Sequence, residues 1–150
     1  MTHRRDYFLN ETQRLAQLIA KLLGLKNKPE SQEEVQQVYT HALTDEFNIT
    51  DAELQQLSLN EFKQWLTGQN FSPVKLDTLA QLLQYRAEPF KPDTVTVQLL
   101  QKVITIFDML EQEHHQQSFE NIGKRAVIQQ YIQQYGSWIE VESTLIRIYT

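Results

Sequence analysis

The sequence predicts an all-α protein, with about seven helices in a single domain spanning residues 1–150. Apolar residues recur at three- and four-residue steps along most of the chain. Helix-capping patterns precede several of these segments, and no Asn-Gly or Asp-Gly turn separates stretches of alternating residues. The short polar breaks indicate antiparallel neighbours, arranged either as a compact helical bundle or as helix pairs in a right-handed superhelix.

The first predicted helix runs from Tyr7 to Leu23, and Gly24 is expected to end it. Its apolar positions are Phe8, Leu15, Leu18, Ile19, Leu22 and Leu23. After the polar sequence KNKPE, Ser31 and Glu34 form a capping-box pattern, in which each side chain can accept a hydrogen bond from the other residue's backbone N–H. The second helix should begin there. Its apolar face comprises Val35, Val38, Tyr39, Ala42 and Leu43.

Two further capping boxes follow in quick succession. Thr50 with Glu53 predicts a short third helix, and Ser58 with Glu61 predicts a fourth that ends at Gly68. Each pattern is followed by apolar residues at helical spacing. These are Leu54 and Leu57 in the third helix, and Phe62, Trp65 and Leu66 in the fourth.

The fifth predicted helix begins at a proline. Ser72 is a suitable N-cap, and Pro73 takes the first helical position, where its missing N–H is not needed. A leucine-rich segment extends from there to about Arg86. The sequence EPFKP then interrupts the helical pattern, because proline is disfavoured inside helices.

The sixth and seventh helices complete the regular pattern. Asp93 or Thr94 can cap a long sixth helix that reaches about Gln117, and Ser118 begins a seventh that Gly136 closes. Residues 137–150 fit both periodicities, since their apolar residues suit either a strand or a helix. We favour a docked C-terminal helix for this segment.

Composition narrows the classes of function. The net charge of −5 makes binding to the nucleic-acid backbone improbable on electrostatic grounds, because phosphate contacts require clustered Lys and Arg. The chain has no cysteine, which excludes disulfides and thiolate metal sites and fits a reducing compartment. No run of roughly 18 apolar residues predicts a membrane span, and no signal-peptide pattern opens the chain. We therefore expect a cytoplasmic protein.

Three segments carry a family resemblance: RDYFLNETQRLAQLIAKLLGL, LTDEFNITDAELQQLSLNEFKQWL and FSPVKLDTLAQLLQYRAE. Together they resemble an uncharacterised family of small bacterial proteins with a tetratricopeptide-like (TPR-like) helical fold. The resemblance covers about the first 88 residues, and the chain departs from the family in its richness in Gln. It implies a helical-repeat fold and a role in protein–protein interaction, and it implies no catalytic residue.

One motif resembles a metal site. Glu111 and His114 have the Glu-x-x-His spacing that di-iron bundles use twice, together with two further glutamates. The spacing occurs once here, and a helical projection places His114 on one stripe with Val103, Phe107 and Leu110. We interpret His114 as the end of a buried helix face. The alternative is a metal- or small-ligand-binding bundle in which Glu111 and His114 are ligands.

The sequence predicts a non-enzymatic protein–protein interaction module without a cofactor, because it contains no phosphate-binding glycine loop and no nucleophile or zinc-protease motif. Aromatic residues dominate interface hot spots, and Tyr39, Trp65, Tyr85, Tyr131, Tyr135 and Trp138 could line a peptide groove. Tyr85 and Arg86, at a helix end, are the candidates for contact with an unidentified protein or peptide. A further alternative is a homo-oligomeric structural protein assembled through the apolar C-terminal segment.

Overall fold

The computed structural model describes residues 2–26, 28, 32–115 and 121–135, and within them it contains seven α-helices and no β-strand. The helices are α1 (Thr2–Lys26), α2 (Gln32–Phe47), α3 (Asp51–Gln56), α4 (Leu59–Gln69), α5 (Pro73–Ala87), α6 (Thr94–Gln112) and α7 (121–135). The predicted all-α class and helix number are confirmed. The predicted cap at Ser31, the start at Ser118, the stop at Gly136 and the segment 137–150 lie outside the described residues.

Helix α5 lies at the centre of the fold. It packs most extensively against α6 and also contacts α1 and α2, while α3 and α4 pack against α6. In a solenoid, each helix pair contacts only its neighbours along the chain. Here α1 packs against α5, four helices later, so the described helices form a compact bundle.

A continuous hydrophobic core joins these helices. Its fully buried residues include Leu43 of α2, Leu54 of α3, Phe62 of α4, Leu79, Leu82 and Leu83 of α5, and Leu100, Val103 and Ile106 of α6. Burying a side chain of this size contributes about 1.5–3 kcal/mol. The leucine spacing of α5 places buried residues around most of its circumference, which explains why this helix is the central one.

Both capping boxes in the middle of the chain are confirmed. The Thr50 hydroxyl accepts a hydrogen bond from the Glu53 backbone N–H at 3.1 Å, and the Glu53 carboxylate accepts one from the Thr50 N–H at 3.2 Å. Ser58 and Glu61 form the same pair of bonds at the start of α4. These bonds satisfy backbone donors that have no partner within the helix.

Two further helix starts match the prediction, whereas α1 begins at Thr2 and not at the predicted Tyr7. Ser72 caps α5 by accepting from the Lys75 N–H, and Pro73 is the first helical residue. Of the two candidates at the start of α6, Asp93 is the cap, because its carboxylate accepts from the Thr96 N–H at 2.8 Å. The negative charge of Asp93 also suits the positive end of the helix dipole.

The predicted helix stops at Gly24 and Gly68 are wrong. Gly24 lies inside α1, which continues to Lys26, and Gly68 lies inside α4. Helix α4 is ended by Asn70, whose φ of 53° is in the left-handed region. Asparagine adopts this conformation more readily than most residues, so it can take the position that glycine usually fills at a helix end.

Candidate functional site

An open groove of about 940 Å³ lies between the end of α1, α2, the end of α5 and the loop that follows α5. We call it the basic groove and define it by Lys28, Tyr39, Tyr85, Arg86, Phe90 and Lys91. Its volume is in the upper part of the range of about 300–1,000 Å³ that is typical of ligand sites. Both candidate partner-binding residues, Tyr85 and Arg86, line this groove.

The floor of the basic groove is organised around Asp51, the first residue of α3. The Tyr39 hydroxyl donates to Asp51 Oδ1 at 2.8 Å, and Gln55 Nε2 donates to Oδ2 at 2.8 Å. Arg86 Nε lies 3.7 Å from the same Oδ2. That distance allows an ion pair but is too long for a hydrogen bond. Asp51 therefore holds residues of α2 and α5 in one arrangement.

Burial is the main cause that raises the pKa of Tyr39 far above its ordinary value, and the neighbouring Asp51 carboxylate raises it further. Tyr39 consequently remains a protonated donor to Asp51 across the physiological range. The Arg86 Nε atom is buried and has no hydrogen-bond partner within the described part of the chain. Arg86 Nε therefore faces Asp51 in an ion pair and is closed to solvent.

The far wall of the groove is the loop between α5 and α6, which is held against α7. The ring of Phe90 meets Tyr131 edge-on, with centroids 5.3 Å apart, and Tyr131 packs on Tyr135 at 4.7 Å. The Tyr131 hydroxyl also donates to the Lys91 carbonyl oxygen. These contacts fix the position of Phe90 and Lys91 relative to the helices.

The charge of this groove is opposite to that of the whole chain. Lys28, Arg86 and Lys91 line it, and Glu88 is the acidic residue among the lining side chains. The chain carries a net charge of −5. Asp93 is nearby, but its carboxylate caps α6, and the Thr96 bond is the main cause that lowers its pKa. Because Asp51 balances Arg86, the excess is one positive charge, that of Lys28 and Lys91 over Glu88, and it lies beside aromatic surface.

Helix α6 ends at Gln112, and the predicted extension to about Gln117 is wrong. Glu113 is the C-cap, and His115 has a φ of 54°, so the chain leaves the helical path there. His114 lies beyond the helix and is half-buried, which corrects the prediction that it continues the buried face. The left-handed residue ends the helix through backbone conformation, which hydrophobic spacing does not report.

The structure does not bring Glu111 and His114 together with further ligands. The Glu111 carboxylate accepts from Arg125 Nη2 at 3.4 Å, and Arg125 Nη1 donates to Asp108 at 2.5 Å. Arg125 is thereby shared between two carboxylates of α6 and connects α6 to α7. In the described ranges, no group of three or more His, Asp or Glu side chains is arranged to hold a metal ion.

The aromatic residues singled out in the sequence serve different purposes. Tyr39 and Tyr85 line the basic groove, whereas Trp65 packs against Phe71 with ring centroids 5.5 Å apart, in an aromatic cluster away from it. Sequence reasoning missed Phe90 and Lys91. The signal for them was present in EPFKP, where an aromatic residue and a cation stand between two prolines at a helix break.

None of the described helices is long and apolar enough to cross a membrane. Comparison with protein-family models, curated proteins and solved structures found no match for this chain.

Proposed function

We propose that this protein is a non-enzymatic helical interaction module of the cytoplasm, which binds a peptide segment of a protein partner in the basic groove. The observation that carries the proposal is the combination, in one groove, of three cationic side chains with the partly exposed aromatic rings of Tyr85 and Phe90. Asp51 and Tyr131 brace this surface from both sides. A braced site loses little conformational entropy when a partner binds.

The chemistry of the groove favours a peptide that combines carboxylates with an apolar side chain. Lys28 and Lys91 are exposed at its edge and would attract the carboxylates, while Arg86 is ion-paired with Asp51 at the floor. Tyr85 and Phe90 provide aromatic surface for the apolar side chain. A role in protein–protein interaction is also what the sequence resemblance to TPR-like bacterial proteins implies, and membership of that family stays a prediction.

A random peptide library displayed against the purified protein tests the proposal. We expect enrichment of sequences in which Asp or Glu neighbours Leu, Ile or Phe. Binding of a selected peptide, measured by fluorescence anisotropy, should weaken about tenfold in the double variant Lys28→Ala/Lys91→Ala and should weaken with added salt. The matched control is Lys21→Ala/Lys63→Ala, which removes the same charge from exposed positions outside the groove.

Two results would contradict the proposal: enrichment of basic or neutral peptides, or an equal loss of affinity in both double variants. Equal loss would show that net charge governs binding and that the groove has no special role. The alternative of a metal site at Glu111 and His114 has less support, since Glu111 is engaged by Arg125. Elemental analysis of the purified protein tests that alternative directly.

A further inference from the structure

Lys102 of α6 is a buried lysine outside the basic groove. Only 3% of its surface is exposed, and its Nζ lies 5.9 Å from the centroid of the Phe62 ring. Lysine is almost never fully buried unless a partner compensates its charge. Its neighbours one turn away on α6, Leu99 and Ile106, are core residues, so the helix face that carries Lys102 is turned towards the interior.

The Lys102 ammonium has no hydrogen bond or ion pair with any residue that the structure describes. Burial is the cause that lowers its pKa, and no neighbouring carboxylate raises it. The aromatic ring of Phe62 compensates the positive charge in part. The Nζ atom itself keeps some contact with solvent, and an anion that paired with it would offset the cost of holding a lysine in this largely buried position.

Lys102 lines a cavity of about 300 Å³ at the junction of α3, α4 and α6. Its polar lining consists of Lys102, Ser58 and the amides of Gln55, Gln56, Gln98 and Gln101, without any carboxylate. Leu57 and Leu59 add apolar surface. The cavity lies beside the start of α4, where the Ser58–Glu61 capping box already satisfies the first backbone donors, so Lys102 is the positive group that the cavity offers.

We propose that this cavity binds a short-chain aliphatic carboxylate. The carboxylate would pair with the Lys102 ammonium and accept hydrogen bonds from the glutamine amides, and its alkyl chain would contact Leu57 and Leu59. A monoanion fits better than a phosphate, because the lining supplies one cation and the volume is at the lower end of the range of ligand sites. This proposal is independent of peptide binding in the basic groove.

Side-chain NMR of the lysine ammonium groups tests it, with sodium butyrate as the probe and sodium chloride at equal ionic strength as the reference. We expect butyrate to shift the Lys102 signal saturably and to raise the Lys102 pKa, because a bound anion favours the protonated amine. Lys102→Met should abolish saturable butyrate binding. The exposed Lys63→Met is the matched control and should leave it unchanged.

Because Lys102→Met changes the interior, a second variant is Gln98→Leu, which replaces an exposed residue of the cavity lining and leaves the core unchanged. It should weaken butyrate binding several-fold while far-UV circular dichroism stays the same. The proposal fails if chloride produces the same shift as butyrate, if phosphate binds more tightly than butyrate, or if no saturable shift occurs. The last outcome would mean that water already solvates the ammonium and that the cavity binds no carboxylate.

Discussion

Asp51 shows how one surface carboxylate organises a site. It begins α3, accepts from Tyr39 and Gln55, and lies 3.7 Å from Arg86 Nε. These three neighbours lie on α2, α3 and α5, so the geometry of the groove floor depends on Asp51. The Thr50–Glu53 capping box predicted that a helix begins at this point of the chain, and the sequence could not predict the tertiary partners of Asp51.

Removing the Tyr39 hydroxyl tests this arrangement. At neutral pH, Tyr39→Phe should lower the free energy of unfolding by about 2 kcal/mol, the usual cost of losing a hydrogen bond to a charged group. The ring of the variant stays buried, since Tyr39 is 2% exposed, and the lost bond is felt at Asp51, whose side chain is 22% exposed. Urea unfolding followed by circular dichroism measures the loss, and a variant as stable as the wild type would contradict the assigned bond.

The difference in the free energy of unfolding between the wild type and Tyr39→Phe should also depend on pH, in a direction that the pKa of Tyr39 determines. The pKa of Tyr39 is raised in the folded state, so the unfolded chain releases this proton first as the pH rises. Wild-type stability should therefore fall above about pH 10, by at most about 1.4 kcal/mol per pH unit relative to Tyr39→Phe. Measurement of both proteins between about pH 8 and about pH 11 cancels the contribution of the other titrating groups. A constant difference would refute the assignment.

At the scale of elements, the capped helix starts were predictable, whereas the helix ends that were assigned to glycine were not. Thr50, Ser58, Ser72 and Asp93 act through hydrogen bonds to residues three positions later, which sequence spacing reports directly. A helix end depends on which residue adopts the left-handed conformation. Glycine is the usual candidate, but α4 passes Gly68 and ends at Asn70.

Alanine substitution distinguishes a helical glycine from a glycine that ends a helix. Gly24→Ala and Gly68→Ala should each raise the free energy of unfolding by about 0.5–1 kcal/mol, since alanine loses less backbone entropy inside a helix. A Cβ atom at either position would meet no atom within 4 Å. If either residue ended its helix with positive φ, alanine would be destabilising instead.

Asn70 is the matched comparison for these two glycines. Because its φ is 53°, Asn70→Ala should destabilise the protein by about 1 kcal/mol, whereas Asn70→Gly should leave its stability nearly unchanged or slightly increased. Urea denaturation midpoints of the four variants provide the test. Stabilisation by Asn70→Ala would show that α4 continues through this position.

At the scale of the molecule, the sequence predicted the components better than their assembly. Tyr85 and Arg86 were the candidate partner-binding residues because they lie at a helix end, and both line the basic groove. Lys28 and Lys91 line the same groove because the end of α1, α2, the end of α5 and the loop after α5 meet in the folded protein. No local sequence pattern predicts that meeting. Lys102 was overlooked for the same reason, since only the packing of α3 and α4 on α6 makes it a buried residue.

The central position of α5 predicts that the bundle unfolds as one unit. Leu79 is fully buried, and Leu79→Ala should lower the free energy of unfolding by about 3 kcal/mol through lost apolar burial and a residual cavity. Leu23→Ala is the matched control. Leu23 is 49% exposed in α1, so its replacement should change stability by less than about 0.5 kcal/mol.

Two probes in one protein establish whether the loss is global. With Trp138→Phe as the background, Trp65 of α4 is the sole tryptophan and reports on the aromatic cluster it forms with Phe62 and Phe71. Its fluorescence transition should coincide with the far-UV transition of all helices, before and after Leu79→Ala, because α4 packs on α6 and α6 packs on α5. An earlier fluorescence transition would mean that α3 and α4 unfold separately, and Lys102 would then lose its enclosing wall before the rest of the core opens.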